Sequence, residues 1–178
     1  MSIYKYPLNQ DVLTAARERI KWTLENLPRI CVSFSGGKDS TVMLHLVAQQ
    51  ARLMNIKIDV LFIDWEAQFS HTIIHVEHMR ELYSDVIDHF WWVALPLTTQ
   101  NSLSQFQPEW QCWEPGTQWV RQPPDDAITD PAFFPFYQPG MTFETFVRGF
   151  SDWFSRNRPA AVLIGIRADE SYNRFLAI

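Results

Sequence analysis

Ser33-Phe34-Ser35-Gly36-Gly37-Lys38-Asp39-Ser40-Thr41 is the stretch from which the rest of the chain can be read. A short β-rich run, Ile30 to Phe34, leads into it, and Val42, Met43, Leu46 and Val47 follow at helical spacing, so the two glycines fall at a strand-to-helix turn. Without a Cβ, glycine lets the backbone come close to an anion, and the first N–H groups of a helix are unpaired donors backed by the positive end of its dipole. The turn therefore reads as a phosphate cradle. Lys38 adds a point charge, Ser35, Ser40 and Thr41 bring hydroxyls, and Asp39 is a candidate ligand for a Mg²⁺ bridging phosphate oxygens. The Walker A pattern does not fit, because Val32 stands at its first glycine and Asp39 follows the lysine. The competing reading is an ordinary Gly-Gly turn with a solvated Lys-Asp pair. Strand, glycine pair, cation and hydroxyls coinciding in one turn favour the cradle.

The 178 residues amount to one domain, with enough apolar side chains for a sizeable core. A formal net charge of −5 argues against a generally basic nucleic-acid-binding surface and leaves room for a local basic groove. No run approaches the length of a transmembrane helix, and the start of the chain lacks the basic-then-apolar pattern of a signal peptide. A cytoplasmic protein away from the membrane is the expectation. The only cysteines, Cys31 and Cys112, are too few for a Cys₄ zinc site or an iron–sulfur cluster held by this chain alone.

Upstream of the turn, Val12, Ala16, Ile20, Leu24 and Leu27 recur at helical spacing, predicting a helix from Asn9, its N-cap, to Leu27, stopped by Pro28. Downstream, the helix after the turn is expected to reach Met54 and end at Asn55. Residues 57–64 read as a second buried strand that finishes at Asp64. Ligands of parallel α/β sheets bind beyond the carboxyl ends of the strands, which puts Asp64 on the same edge as the Gly-Gly turn.

Ser35-Gly36-Gly37-Lys38-Asp39-Ser40 resembles the PP-loop of the ATP pyrophosphatases, and the chain is most similar to their phosphoadenosine phosphosulfate (PAPS) reductase-like branch. Relatives carry a D-T-G-x-x-F-x-E-T-like run after the second strand, and here Asp64, Phe69 and Thr72 match while Trp65, Glu66 and His71 depart. A third match follows the last strand, Ala160 to Ile166, where relatives have G-x-R-x-x-E-S and this chain has Gly165, Arg167, Glu170 and Ser171. The resemblance implies an α/β, Rossmann-like open and mainly parallel sheet with helices on both faces, of the adenine nucleotide alpha-hydrolase-like kind. It implies ATP or a related adenine nucleotide with Mg²⁺, cleaved between the α- and β-phosphates. Lys38, Asp39 and Arg167 would be catalytic; Ser33, Ser35, Gly36, Gly37, Ser40, Thr41, Asp64, Trp65, Gly165, Glu170 and Ser171 would bind the nucleotide. Some relatives are encoded beside a ParB-like protein, which suggests a protein partner. PAPS reductases proper carry a C-terminal cysteine motif not found here, so the chain reads as a fragment or a shortened member.

Between these motifs, residues 70–83 read as a helix with His71, His75 and His78 on one face, a possible metal set but more simply a solvated face. Phe90 to Leu97 reads as a third strand. Residues 98–140 are rich in proline and aromatics, including Trp110, Trp113, Trp119, Phe133, Phe134, Phe136 and Tyr137. Three readings compete: a lid over the nucleotide, a platform for stacking nucleic-acid bases, or a self-packed insertion covering the sheet. Arg121 is its only basic residue, which ranks nucleic acid last. Trp65 is open between stacking on a base and packing. Cys112 is open between a nucleophile and a packed thiol, with no nearby base or resolving cysteine to favour the nucleophile. Residues 142–158 form a well-patterned helix, with Phe143, Phe146, Val147, Phe150 and Phe154 on one face and Thr142 as N-cap.

Overall fold

A computed structural model describes residues 9–101 and 106–166. Four parallel strands form the central sheet: β1 (Arg29–Ser33), β2 (Ile58–Ile63), β3 (Ile87–Val93) and β6 (Ala160–Ile164), in the spatial order β3-β2-β1-β6. Successive side chains of a strand point to opposite faces, and this alternation builds two cores. Ile30, Val32 and Phe34 of the first strand segment, with Ile58, Val60 and Phe62 of the second, face α1 (Val12–Asn26), α2 (Lys38–Met54) and α3 (Ser70–Leu82). Cys31, Leu61 and Ile63 face the other way, toward α4 (Phe143–Ser155) and the aromatic insertion. Helices cover both faces, so the expected fold class holds.

The order of connections locates the ligand edge. From β1 the chain steps outward through α2 to β2 and through α3 to β3, then returns through the insertion and α4 to place β6 on the other side of β1. The sheet thus changes direction at β1, and a crevice opens at such a switch point beyond the carboxyl ends of the strands. The Gly-Gly turn follows β1 directly.

Local chemistry sets the element ends. Asp11, not Asn9, caps α1, its carboxylate accepting the Thr14 N–H at 3.0 Å; Asn9 lies two residues too early to reach the first turn. Asn55 closes α2 in the left-handed conformation, as expected. Thr142 and Thr145 cap α4 reciprocally, and Phe146, Phe150 and Phe154 are wholly buried beneath it. The third strand begins at Ile87, ahead of the expected Phe90, and stops at Val93.

Residues 98–140 are not structureless. They contain an antiparallel pair, β4 (Thr98–Gln100) with β5 (Glu109–Gln111), and a 3₁₀ turn at Pro131–Phe133. Trp113 and Phe134 are buried to within 2% exposure, packed with Cys112 against Leu61, Ile63 and Val93. Phe134 meets Phe146 edge to face at 5.3 Å between centroids, a favoured aromatic geometry. Of the three readings, the insertion that covers the sheet matches this packing.

Candidate functional site

The turn after β1 is braced from inside. Ser40 Oγ donates to the Gly37 carbonyl at 3.0 Å and accepts the Ser35 N–H at 3.2 Å, while Thr41 Oγ1 donates to the same carbonyl at 2.8 Å. Ser35 Oγ lies 3.0 Å from Ser40 Oγ and accepts the Gly37 N–H at 3.4 Å. These hydroxyls, expected to point at a ligand, are spent in this state on holding the loop's shape. Ser33 ends β1, half-buried. The backbone remains for an anion: Gly37 caps α2 with no side-chain hydrogen bond, so the first-turn donors are left unsatisfied by side chains.

Two glycines are dictated by contact. Gly36 has φ +75°, and a Cβ there would lie 2.8 Å from Thr72 Cγ2 and 3.0 Å from Val76 Cγ2 of α3. A Cβ on Gly165, just beyond β6, would stand 2.8 Å from the Asp39 carbonyl oxygen. The third motif therefore touches the first turn of α2 through its glycine. Arg167, Glu170 and Ser171 of that motif lie outside the described residues.

A cleft of about 350 Å³ opens on this turn, lined by Ser35, Gly36, Gly37, Ala67, Gln68, Phe69 and Thr72. Phe69 is 85% exposed at its rim. The Gln68 side-chain oxygen is buried without a hydrogen-bond partner. Lys38 Nζ is exposed, 3.7 Å from a half-exposed Asp39 carboxylate. The two side chains expected to handle charge thus stand in solvent reach on the first turn of α2, outside the residues that line the cleft.

Asp64 and Trp65 are placed differently. Asp64 has no exposed surface. Its carboxylate accepts Trp92 Nε1–H at 2.8 Å, the Glu66 N–H at 2.9 Å and a hydrogen bond from the Arg121 guanidinium. It is turned into the protein and not into the cleft, because the insertion supplies a cation that satisfies it. Trp65 packs on Phe143 at 5.4 Å, which is the packing alternative. Glu66, which sequence reasoning missed, holds the insertion from the same turn: Oε2 accepts the Trp113 N–H at 2.6 Å and Oε1 the Val120 N–H at 2.8 Å. Its φ of +59° accounts for a glycine at this position of the D-T-G-like run. The only sequence signal was that departure from glycine.

The histidines do not assemble. His75 Nε2 lies 2.9 Å from Thr41 Oγ1, and His71 and His78 are exposed; among the described residues the trio forms no metal-ligating group. Both cysteines are buried. Burial pushes the Cys112 thiol up to about 12, and burial with the nearby Asp59 charge holds Cys31 well above the usual thiol range. Burial and a raised thiol pKa both disfavour a nucleophilic role for either cysteine.

A parallel sheet that changes direction at a Gly-Gly strand-to-helix turn defines an open, doubly wound α/β domain. A model of the phosphoadenosine phosphosulfate reductase domain matches residues 29–120, and the chain belongs to that family. Over all 178 residues it is 75% identical to "Uncharacterized protein YbdN" of Escherichia coli (strain K12), and it spans 44% of that protein's length. Two solved structures resemble parts of it. An NH3-dependent NAD synthetase from Campylobacter jejuni subsp. jejuni NCTC 11168, in complex with the nitrate ion, is 11% identical, covering 44% of this chain and 33% of its own at a TM-score of 0.35. The U34-tRNA thiolase NcsA from Methanococcus maripaludis, with its 4Fe-4S cluster, is 20% identical, covering 43% and 29% at a TM-score of 0.33. Among the described residues no helix is long and apolar enough to cross a membrane.

Proposed function

We propose that this chain binds ATP or a related adenine nucleotide at the Gly-Gly turn, cleaves it between the α- and β-phosphates and transfers the adenylyl group to an acceptor. The observation that carries the reading is one turn that combines an α2 N-terminus without a side-chain cap, a cleft lined by Gly36 and Gly37, a Gly165 packed on the Asp39 backbone and a solvent-exposed Lys38. Backbone N–H groups of the turn hold the leaving pyrophosphate, where charge develops in the transition state, and preorganised donors there act without reorganisation. Lys38 neutralises that charge, joined by Arg167 on the strength of the family motif. Mg²⁺ is commonly held by one or two carboxylates together with substrate phosphates; the part-exposed Asp39 in the first turn of α2 fits that demand, and the ion would draw charge from the phosphate oxygens.

Thiol-dependent reduction of a sulfonucleotide by this chain's own cysteines is disfavoured by the burial and raised pKa of both. A ParB-like partner remains a proposal from family resemblance. Lys38→Ala is the test, because an exposed side chain can be removed without disturbing the fold. ATP with Mg²⁺ is expected to raise the Tm of the unaltered chain, with PAPS raising it less, and Lys38→Ala is expected to lose most of the shift. Absence of any ATP-dependent shift and of pyrophosphate release, in both proteins, overturns the reading.

A further inference from the structure

At the opposite, amino-terminal edge of the sheet lies a second cleft of about 210 Å³, walled by Arg29, Asp59, Asp88, His89, Trp91 and Arg156 among others. Its floor departs from regular pairing. Ile58 pairs with Ile87 but Val60 with Phe90, so Asp88 and His89 of β3 both stand opposite Asp59 alone. Neighbouring residues of a regular strand point to opposite faces, and a bulge with its extra residue is what re-aims one of them. Here it brings two adjacent side chains to one point. His89 Nδ1 lies 3.1 Å from Asp59 Oδ1 and 3.2 Å from Asp88 Oδ2, and one donor atom from each of the three residues falls within 4.8 Å of the others.

We infer that Asp59, Asp88 and His89 form a site for a divalent transition cation of the zinc class, with an open coordination position facing the cleft. Three observations support it. The donor set is one imidazole nitrogen and two carboxylates, which suits zinc and its neighbours. Bonds of about 2.0–2.2 Å in a tetrahedron put neighbouring donor atoms roughly 3.3 Å apart, close to the two spacings seen. Third, the Nε of Arg29, on the wall of the same cleft, is buried without a hydrogen-bond partner. A water or small anion on the metal's open position gives that donor an acceptor. Lys57, on the same wall, is directed elsewhere, its Nζ donating to the Asp85 carbonyl at 2.7 Å. The two aspartates carry the charge that a dication neutralises. His89 stacks on Trp91 at 5.0 Å and 10° between planes, which fixes the imidazole plane.

The test uses the full chain without a polyhistidine tag, titrated with Zn²⁺ by calorimetry and with Co²⁺ by visible absorption. One ion per chain is expected, with the intense Co²⁺ bands of a four-coordinate site. His89→Ala and Asp88→Asn are expected to weaken binding at least tenfold; both positions are more than half exposed, so metal-free circular dichroism and Tm should match the unaltered chain. His78→Ala, at an exposed histidine outside the cluster, is expected to bind like the unaltered chain. No stoichiometric binding, or binding that survives both substitutions, overturns the assignment and leaves an imidazole bridging two carboxylates. ATP binding is read at the other edge of the sheet, so it stands or falls separately.

Discussion

The turns after β1 and β2 leave the sheet on the same edge and meet at the same cleft, yet they use their polar groups in opposite ways. After β1, hydroxyls are consumed in bracing the loop while backbone donors and the Lys38 and Asp39 side chains are left toward solvent. After β2, Asp64 and Glu66 are buried and every hydrogen bond described for their carboxylates comes from within the protein: Trp92, Trp113, Val120, Arg121 and the Glu66 backbone. A buried polar group is costly unless paired, so the second turn is architecture that fastens the insertion. The first turn is left open on one side, as the proposed nucleotide site requires. Position within a family motif does not by itself separate these roles; the partners do.

The largest test of this contrast is Asp64→Ala. Removing one partner of a buried ion pair costs about 3–5 kcal/mol, and here Trp92 Nε1 and Arg121 are both left without their acceptor. Denaturant unfolding is expected to show a loss in that range, and Asp64→Leu combined with Arg121→Leu is expected to recover part of it. Full stability in Asp64→Ala together with lost nucleotide binding would reverse the contrast and return Asp64 to the ligand.

A smaller effect is expected at Gly36→Ala. Left-handed backbone at a non-glycine residue costs about 1–3 kcal/mol, and the added methyl must displace Thr72 and Val76. The displacement moves α3 against the cradle, so the ATP-induced Tm shift should fall by more than the stability loss alone explains. An unchanged ATP shift would mean that the turn's shape is not what holds the ligand.

The Gly-Gly turn, the extent of α2, the second strand and the two-faced sheet were legible in sequence because each rests on local facts: glycines, apolar runs, a helical period. The roles of Asp64 and Glu66 were not. Their partners Trp113, Val120 and Arg121 lie 47 to 57 residues away, within a segment whose own fold gives no periodic signal. The start of β3 was hidden for a related reason: the bulge turns Asp88 and His89 the same way, which breaks the alternation that marks a strand. Glu66 in a glycine position was visible as an anomaly, but not what it holds.

The smallest effect belongs to the insertion's outer fastening. Asp126 of the insertion pairs with Arg80 of α3, and both side chains are more than a third exposed. The Arg80 guanidinium, mainly through its hydrogen bond, lowers the Asp126 carboxyl below its ordinary value of 3.8. A carboxylate whose pKa is lower when folded contributes stability above the unfolded value, and the contribution disappears as pH falls through the folded value. Solvent screening keeps an exposed pair at about 1 kcal/mol or less, against the several expected at Asp64. Arg80→Ala should therefore destabilise slightly at neutral pH, and the part due to the ion pair should vanish below the folded pKa of Asp126, leaving only the loss of the Arg80 contact over Phe90, measured by denaturant midpoints across the acid range. A loss at Arg80→Ala as large as that at Asp64→Ala would place the insertion's main anchor on α3 instead of on the end of β2, and the difference drawn between the two turns would lose its energetic basis.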